Sequence, residues 1–432
     1  MIPAFAQPAA AQAEAAATSA HLRECPDCGQ LQVLPAMPPA ARARCLRCDA
    51  VLRHTHHDPL GVPLALHCAA LILLAISAGT VLLSVSTFGM SKAAGLFSGP
   101  EGLEQHGMWE LAAVVLFTTF AAPLAKLLTV GSVLLGLHLP RPPAVLRRVF
   151  AWAERLRPWS MIEIYLLGLF VAYSRLGVLV TIDVGPAVFT LAALMLIMVA
   201  ADYALDPHAV WEAMERRGLR RAPPRRARRG VAAIRLGCDT CGLVSRAVPG
   251  APCPRCASAM RHRKPYSVAR TWALGLTALI LYIPANVYPV LTVVRLGRGE
   301  PSTILGGVEE LIRAGMWPLA ALVFVASIVV PGMKLIGLGI LLISTQKGSA
   351  RRLRDRTRFY RIVDAIGRWS MIDIFMGSIL VALLQFGLIV RVVPGFGAVA
   401  FAAVVILTML AAQSFDPRLM WDAAGAQAEY GD

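Results

Sequence analysis

The most regular feature of this sequence is a succession of long apolar segments separated by short polar ones. Each of eight segments is about 20 residues or longer, and a helix of that length crosses a hydrocarbon layer about 30 Å thick. The eight segments are 63–85, 110–138, 159–182, 185–204, 271–294, 316–344, 369–390 and 394–412. This pattern predicts an all-α polytopic membrane protein.

The eight segments form two copies of one four-helix unit. An offset of 208 residues aligns the first half with the second from Cys45 to Lys126, and an offset of 210 aligns Trp159-Ser-Met-Ile-Glu-Ile with Trp369-Ser-Met-Ile-Asp-Ile. Self-similarity at fixed offsets, rather than shared composition, indicates an internal duplication. Because each copy has an even number of spans, the two copies are predicted to be parallel in the membrane.

The sequence therefore predicts two tandem four-helix transmembrane modules, each preceded by a small module with two Cys-x2-Cys pairs, a spacing that resembles a zinc ribbon. The predicted parts are a disordered tail (1–20), zinc ribbon one (21–58), transmembrane module one (59–212), a basic linker (213–235), zinc ribbon two (236–264), transmembrane module two (265–422) and a C-terminal tail (423–432).

Charge refines this picture by orienting the chain. Hydrophobic residues make up 57% of the chain and charged residues 16%, yet the net charge is +16. Of the 42 lysines and arginines, 34 lie in segments on one predicted side of the membrane. These segments are the two ends of the chain, the loop between the second and third span of each copy, and the loop that joins the two copies. Such loops stay in the cytosol. Both termini and both cysteine modules are thus predicted to be cytosolic, with basic loops that contact anionic lipid headgroups rather than nucleic acid.

Eight of the nine cysteines are arranged in paired two-residue spacings typical of metal ribbons. Two such knuckles supply four thiolates in a tetrahedral arrangement, which suits a closed structural zinc site, and iron is the alternative metal. The predicted ligands are Cys25, Cys28, Cys45 and Cys48 in the first module and Cys238, Cys241, Cys253 and Cys256 in the second.

Ionisable residues within the spans are candidates for a transport site. Lys126 and Lys334 lie at equivalent positions of the second spans, and Glu163 and Asp373 lie near the start of the third spans. Charges inside a bilayer are costly and usually face the bundle interior in pairs. We expect Lys126 to pair with Glu163 and Lys334 with Asp373, because consecutive helices are antiparallel neighbours. A purely structural ion pair is the alternative to a role in transport or proton relay.

Three other polar residues are secondary candidates. Ser160 and Ser370 lie at equivalent positions at the start of the third spans. Asn286 lies between Pro284 and Pro289, which predicts a broken helix in the first span of the second copy.

The sequence lacks the motifs of several enzyme classes. It has no G-x-x-x-x-G-K-[ST], no H-E-x-x-H and no G-x-S-x-G, so neither P-loop ATP hydrolysis nor a known hydrolase mechanism is predicted. The chain is therefore expected not to be an enzyme. A free-standing ion or metal transporter, or a structural membrane anchor for a periplasmic partner, is compatible with these features.

The two cysteine modules, Val330-Pro-Gly-Met-Lys334-Leu and the repeated Trp-Ser-Met-Ile-Glu/Asp motif together resemble the paraquat-inducible protein A family, in particular its lipophilic envelope-spanning tunnel protein A branch. The resemblance implies an inner-membrane subunit of a bacterial envelope lipid-transport system. It would load or receive phospholipid for a periplasmic tunnel protein of mammalian-cell-entry (MCE) domains and contribute to outer-membrane integrity. Lys126, Glu163, Lys334 and Asp373 would then line a lipid-accessible cleft.

Overall fold

A computed structural model describes residues 22–87, 90–176, 181–219, 233–295, 298–385 and 390–425. The predicted N-terminal tail and most of the predicted basic linker and C-terminal tail lie outside these residues. The elements of the first half are β1 (Leu22–Glu24), β2 (Leu31–Val33), β3 (Arg42–Arg44), β4 (Val51–His54), α1 (Gly61–Gly79), β5 (Leu83–Thr87), β6 (Met90–Ala94), α2 (Ser98–Gln105), α3 (Trp109–Leu116), α4 (Ala122–His138), α5 (Leu146–Leu156), α6 (Ile162–Leu176), β7 (Thr181–Val184), α7 (Pro186–Ala204) and α8 (Pro207–Arg216).

The second half repeats this order, except that its described cysteine module has one strand pair instead of two. Its elements are β8 (Ile234–Gly237), β9 (Val244–Ala247), α9 (Ser267–Val287), β10 (Leu291–Arg295), β11 (Arg298–Ser302), α10 (Ile304–Arg313), α11 (Trp317–Phe324), α12 (Val330–Gln346), α13 (Leu353–Ile366), α14 (Ile372–Leu383), β12 (Val390–Pro394), α15 (Phe396–Ser414) and α16 (Arg418–Ala423). We call the described cysteine modules ribbon one (residues 22–54) and ribbon two (residues 234–264), and the helical parts module one and module two.

The prediction of an all-α protein was wrong in one respect, because the mostly helical chain also contains small sheets. In each module, the hairpin after the first span pairs with the strand before the fourth span. The resulting antiparallel orders are β6-β5-β7 and β11-β10-β12. The two hairpins keep the 208-residue offset, with Leu83 opposite Ala94 in one and Leu291 opposite Ser302 in the other. These sheets lie at the opposite end of the first spans from the ribbons, and we call the two ends the sheet end and the ribbon end.

Seven helical segments in the described part of the chain are long and apolar enough to cross a membrane, rather than eight. The predicted third span, 159–182, is the 15-residue helix α6, which is about 22 Å long. Its counterpart α14 has only 12 residues and joins α13 through a short 3-10 turn. Every residue of α14 is buried. The third span of module one is therefore a short helix, whereas α14 is a buried central helix that reaches membrane-crossing length only together with α13.

Each second span contains a π-helical turn at the same place. The turns cover Phe117–Ala121 and Val325–Val329, directly before the segments that contain Pro123 and Pro331. Proline lacks an N–H, and its ring crowds the carbonyl group four residues earlier. A π turn gives that carbonyl room, and such turns often occur at functional sites.

The two modules meet through their third spans. The ring centroids of Tyr165 and Phe375 lie 5.7 Å apart in an edge-to-face contact. At Gly168, an added Cβ would lie 2.9 Å from the Cβ of Phe375. A side chain at that position would therefore separate α6 from α14, and glycine permits their close approach.

Each ribbon packs its apolar face on the module of the other copy. The cysteines of ribbon one share an apolar cluster with Leu341, Phe415 and Trp421 of module two. The cysteines of ribbon two share another with Phe150 and Trp211 of module one. Because ribbon one precedes module one in the chain and ribbon two precedes module two, this exchange ties the copies together at the ribbon end.

Candidate metal and membrane sites

Short knuckles position the cysteines within the ribbons. Gly29 and Gly242 follow the second cysteine of their knuckles with φ of +74° and +67°, a conformation that glycine adopts without a steric penalty. Their N–H groups donate to the carbonyl oxygens of Cys25 and Cys238 at 3.0 and 2.9 Å. The first knuckle of each ribbon thus closes into a tight turn that directs both thiol groups to the same side.

The eight predicted ligands form two buried groups of four, each able to hold one metal ion. The Sγ atoms of Cys25 and Cys48 are 3.5 Å apart, and those of Cys238 and Cys256 are 3.4 Å apart. These separations are far longer than a disulfide bond of about 2.05 Å, and they suit four sulfurs around one ion. The all-sulfur donor set fits a soft or borderline metal such as zinc or iron.

A network of buried charges lies between the ribbons. Arg418 is 4% exposed, and its guanidinium group donates to Asp416, Glu24 and Asp239 at 2.9–3.1 Å. Burial would raise the pKa of Asp416, but the hydrogen bond and charge of Arg418 outweigh it, so this pKa is lowered. Burial alone would lower the pKa of Arg418, but the hydrogen bond and the negative charge of Asp416 raise it. Both groups are therefore ionised at neutral pH.

The corresponding position in copy one holds a histidine instead of an arginine. Residue 208 aligns with residue 418 at the 210-residue offset. Burial, followed by the nearby positive charges of Arg23 and Arg53, lowers the pKa of His208 to about 3. The histidine is therefore neutral at physiological pH, and the charge network is asymmetric between the copies.

The predicted partners of the intramembrane lysines were wrong. Lys126 Nζ donates to Asp202 Oδ2 on α7 at 2.7 Å, rather than to Glu163. Lys334 is 1% exposed and donates to the carbonyl oxygen of Gly367 at 2.5 Å and to Thr408 Oγ1 at 3.3 Å. The physical reason is that the fourth span of each copy carries a polar partner at the depth of the lysine, Asp202 or Thr408, and Lys334 also reaches the turn that precedes α14.

This difference makes the two copies chemically unequal. Position 412 of module two, which aligns with Asp202, is an alanine. Lys126 therefore has a carboxylate at its fourth-span position, whereas no ion pair within 4.0 Å involves Lys334 in the described part of the chain. Charging a buried lysine whose hydrogen-bond partners are neutral oxygens is energetically costly, so Lys334 is a candidate functional residue.

The two predicted carboxylates have different surroundings. Glu163 lies 3.8 Å from Arg368, with both side chains about 40% exposed. Asp373 is 7% exposed, and its Oδ1 has no hydrogen-bond partner among the described residues. The four predicted residues are therefore not brought together in one cleft.

The secondary candidates also differ from one another. Ser160 and Ser370 are buried, and neither hydroxyl has a partner within the described ranges. Asn286 Nδ2 donates to the carbonyl oxygen of Tyr282 at 2.8 Å. The predicted span 271–294 is helical only as far as Val287, although the helix continues through Pro284, and a strand begins at Leu291. Asn286 thus supports a helix that ends one residue later.

The sequence analysis missed two carboxylates. Glu154 and Asp364 both line a cavity of about 480 Å³ between the ribbons and the modules. The 210-residue offset aligns them with each other, and this signal alone could have identified them. Asp364 also lines a second cavity of about 210 Å³ together with Lys334. We call this second cavity the lysine pocket.

An apolar groove of about 570 Å³ runs along α6 and α7. Glu163 and Trp369 line it at the ribbon end, and Leu83 and Val184 line it at the sheet end. Its volume lies within the range of about 300–1,000 Å³ for sites that bind small molecules. We call it the lateral groove.

These features define a multi-pass membrane protein with duplicated helical modules and two four-cysteine sites. The profile of the Paraquat-inducible protein A family matches residues 60–215 and again 268–425. The chain therefore belongs to this family, and the repeated match covers both copies of the duplication.

Curated relatives cover almost the whole chain. It is 33% identical over 402 residues to "Intermembrane transport protein PqiA" of Escherichia coli K12, covering 92% of this chain and 95% of the relative. It is 32% identical to "Lipophilic envelope-spanning tunnel protein A" of the same strain, covering 93% and 91%. A "Probable intermembrane transport protein" of Haemophilus influenzae is 25% identical, covering 88% and 90%. These names describe transport proteins rather than enzymes. No solved structure matches the chain.

Proposed function

We propose that the protein is an inner-membrane subunit of a bacterial envelope lipid-transport system. In this proposal it loads phospholipid into, or receives it from, a periplasmic tunnel protein of MCE domains, and it thereby contributes to outer-membrane integrity. The observation that carries the proposal is the similarity over almost the whole chain to relatives named as intermembrane transport proteins. The lateral groove supports it, since apolar cargo needs an apolar path.

The proposed orientation has both termini and both ribbons in the cytosol. Its support is the placement of 34 of the 42 lysines and arginines in segments that would lie at the ribbon end. The two three-stranded sheets would then lie at the periplasmic surface, where a tunnel protein would dock. Basic segments at the ribbon end would contact anionic lipid headgroups.

We propose zinc as the metal of both ribbons. Four cysteines leave no open coordination position, so zinc would hold the ribbon folds and supply no chemistry. In ribbon one, Gln32 Nε2 and Arg361 Nη2 donate to Cys45 Sγ and Cys48 Sγ at 2.9 and 3.4 Å. Such donors stabilise the negative charge that thiolate ligands retain on a metal.

We propose that the polar residues within the spans act in transport, with Lys334 the foremost of them. It is buried without a carboxylate partner in the described ranges, and Ser370 and Asp373 of the same module each keep an unpartnered oxygen. Lys126, Glu163, Ser160 and Asn286 are further candidates, and Lys126 and Asn286 have weaker support because each is satisfied locally. A site with unsatisfied polar groups can respond to a ligand or proton without first breaking existing bonds.

Affinity purification in mild detergent, followed by mass spectrometry of co-purifying protein and lipid, tests this function. We expect a periplasmic MCE-domain protein and bound phospholipid. Recovery of the tagged chain without partner or lipid would contradict the proposal and favour a free-standing transporter, which vesicle flux of ions would then reveal. A partner recovered without lipid, together with unchanged function of Lys334→Ala, would favour a structural anchor.

A further inference from the structure

We propose that the lysine pocket and the lateral groove form one binding site for a glycerophospholipid, with the headgroup phosphate in the pocket and an acyl chain in the groove. This inference rests on the proposed function and adds to it the place where the chain would first hold its cargo. It is drawn from the charge of the pocket, the adjacency of the two cavities and the apolar character of the groove.

The lysine pocket is positively charged. Arg157, Lys334 and Arg368 line it, and Asp364 is the acidic residue that accompanies them. Guanidinium groups bind phosphate through two parallel hydrogen bonds, which makes arginine a preferred phosphate ligand. Because Arg157 belongs to module one and Arg368 to module two, the pocket exists only where the two copies meet.

The pocket and the ribbon end of the groove adjoin at Arg368. This residue lines the pocket, and the next residue, Trp369, lines the groove. The Arg368 guanidinium group also lies 3.8 Å from Glu163, which lines the ribbon end of the groove. Both partners are partly exposed, so this ion pair is weak, and a phosphate can replace Glu163 at the guanidinium group at little cost.

The groove suits a hydrocarbon chain. Beyond Glu163, its lining along α6 includes Leu167, Phe170 and Tyr173. The ten residues from Glu163 to Tyr173 extend about 15 Å along the helix, and Val184 continues the lining to the sheet end. A ligand that fills both cavities must combine an anionic head with a long apolar tail, and a phospholipid of the surrounding bilayer has this chemistry.

Site-directed photocrosslinking in liposomes tests the proposal on the full-length chain. One variant has benzoylphenylalanine in place of Phe170 in the groove. A reference variant has it in place of Leu196, on the lipid-facing side of α7. Phe170 is 59% exposed and Leu196 is 64% exposed, so both contact lipid. The liposomes hold equal amounts of phosphatidylglycerol and glucosyl diacylglycerol with the same acyl chains. Of these two lipids, only phosphatidylglycerol carries a phosphate in its headgroup.

We expect phosphatidylglycerol adducts to exceed glucosyl diacylglycerol adducts about fivefold at position 170, the scale of two partly exposed charge contacts. At position 196 the adducts should follow the bulk composition. The double variant R157Q/R368Q should lose the preference at position 170. Arg358→Gln is the matched control, because Arg358 is exposed on α13 and lines neither cavity.

Equal adduct ratios at positions 170 and 196 would overturn the site and leave only bulk bilayer lipid in the groove. A preference that persists in R157Q/R368Q would also overturn it. The assay measures binding by the isolated chain, whereas co-purification of a partner and lipid tests the function. Failure of one can therefore be distinguished from failure of the other.

Discussion

Replacing Arg418 tests the conclusion that a buried charge network joins the ribbons to the modules. Arg418 is 4% exposed and Asp416 is 1% exposed by side chain. In Arg418→Met, the new side chain fills much of the space but leaves Asp416 without its charged partner. Breaking a buried pair by removing one member costs about 3–5 kcal/mol, because the remaining charge stays in a poorly solvated environment.

The assay is thermal unfolding of the purified chain in detergent, followed by tryptophan fluorescence. Trp211 and Trp421 both lie in the apolar clusters beneath the ribbons and report on that region. At about 2–4 °C per kcal/mol for domains of 150–250 residues, we expect the melting temperature to fall by at least about 6 °C. Arg418→Lys should give an intermediate loss, since lysine keeps the charge without the planar fork.

Arg313→Met is the matched control for this experiment. Arg313 also pairs with a carboxylate, Glu309, but both side chains are more than 60% exposed. Pairs of this kind contribute only about 0.3–0.5 kcal/mol, so the melting temperature should change by about 2 °C or less. Equal changes in Arg418→Met and Arg313→Met would refute the reasoning that burial makes the Arg418 network important.

Four further predictions concern other parts of the molecule. Because the folded protein lowers the pKa of Asp416, its ionised carboxylate stabilises the fold at pH values above the unfolded pKa of about 3.9. The difference in melting temperature between wild type and Arg418→Met should therefore shrink as the pH falls below about 4. Cys25→Ser should reduce the bound metal from two ions to one. It should also increase hydrogen exchange in module two rather than in module one, because ribbon one packs on module two. Faster hydrogen exchange in module one instead would contradict the packing of each ribbon on the other copy. Lys334→Ala should abolish lipid transport while membrane abundance, measured by immunoblot, stays at the wild-type level; wild-type transport would exclude a role for Lys334. Gly168→Ala should cost about 1–3 kcal/mol by overpacking against Phe375, whereas Gly275→Ala, with nothing within 4 Å, should be neutral or slightly stabilising in the same melting assay.

The pattern of residues along the chain determined the local features of this protein. Apolar stretches, paired cysteines and fixed offsets identified seven of the eight predicted spans, the four-cysteine sites and the duplication, and the family profile matches the two copies separately. These features depend on residues close together in the sequence or on a comparison of its two halves. The same offset would also have identified Glu154 and Asp364 as an equivalent pair.

Only the tertiary structure decided which distant groups meet. The sequence suggested that Lys126 pairs with Glu163 on the next span, but helix packing places Asp202 against it. The exchange of ribbons between copies has no local signal, because it depends on which apolar faces are complementary after both modules have folded. Short strands at the sheet end were likewise missed, since each becomes stable only when a partner distant in sequence supplies its hydrogen bonds.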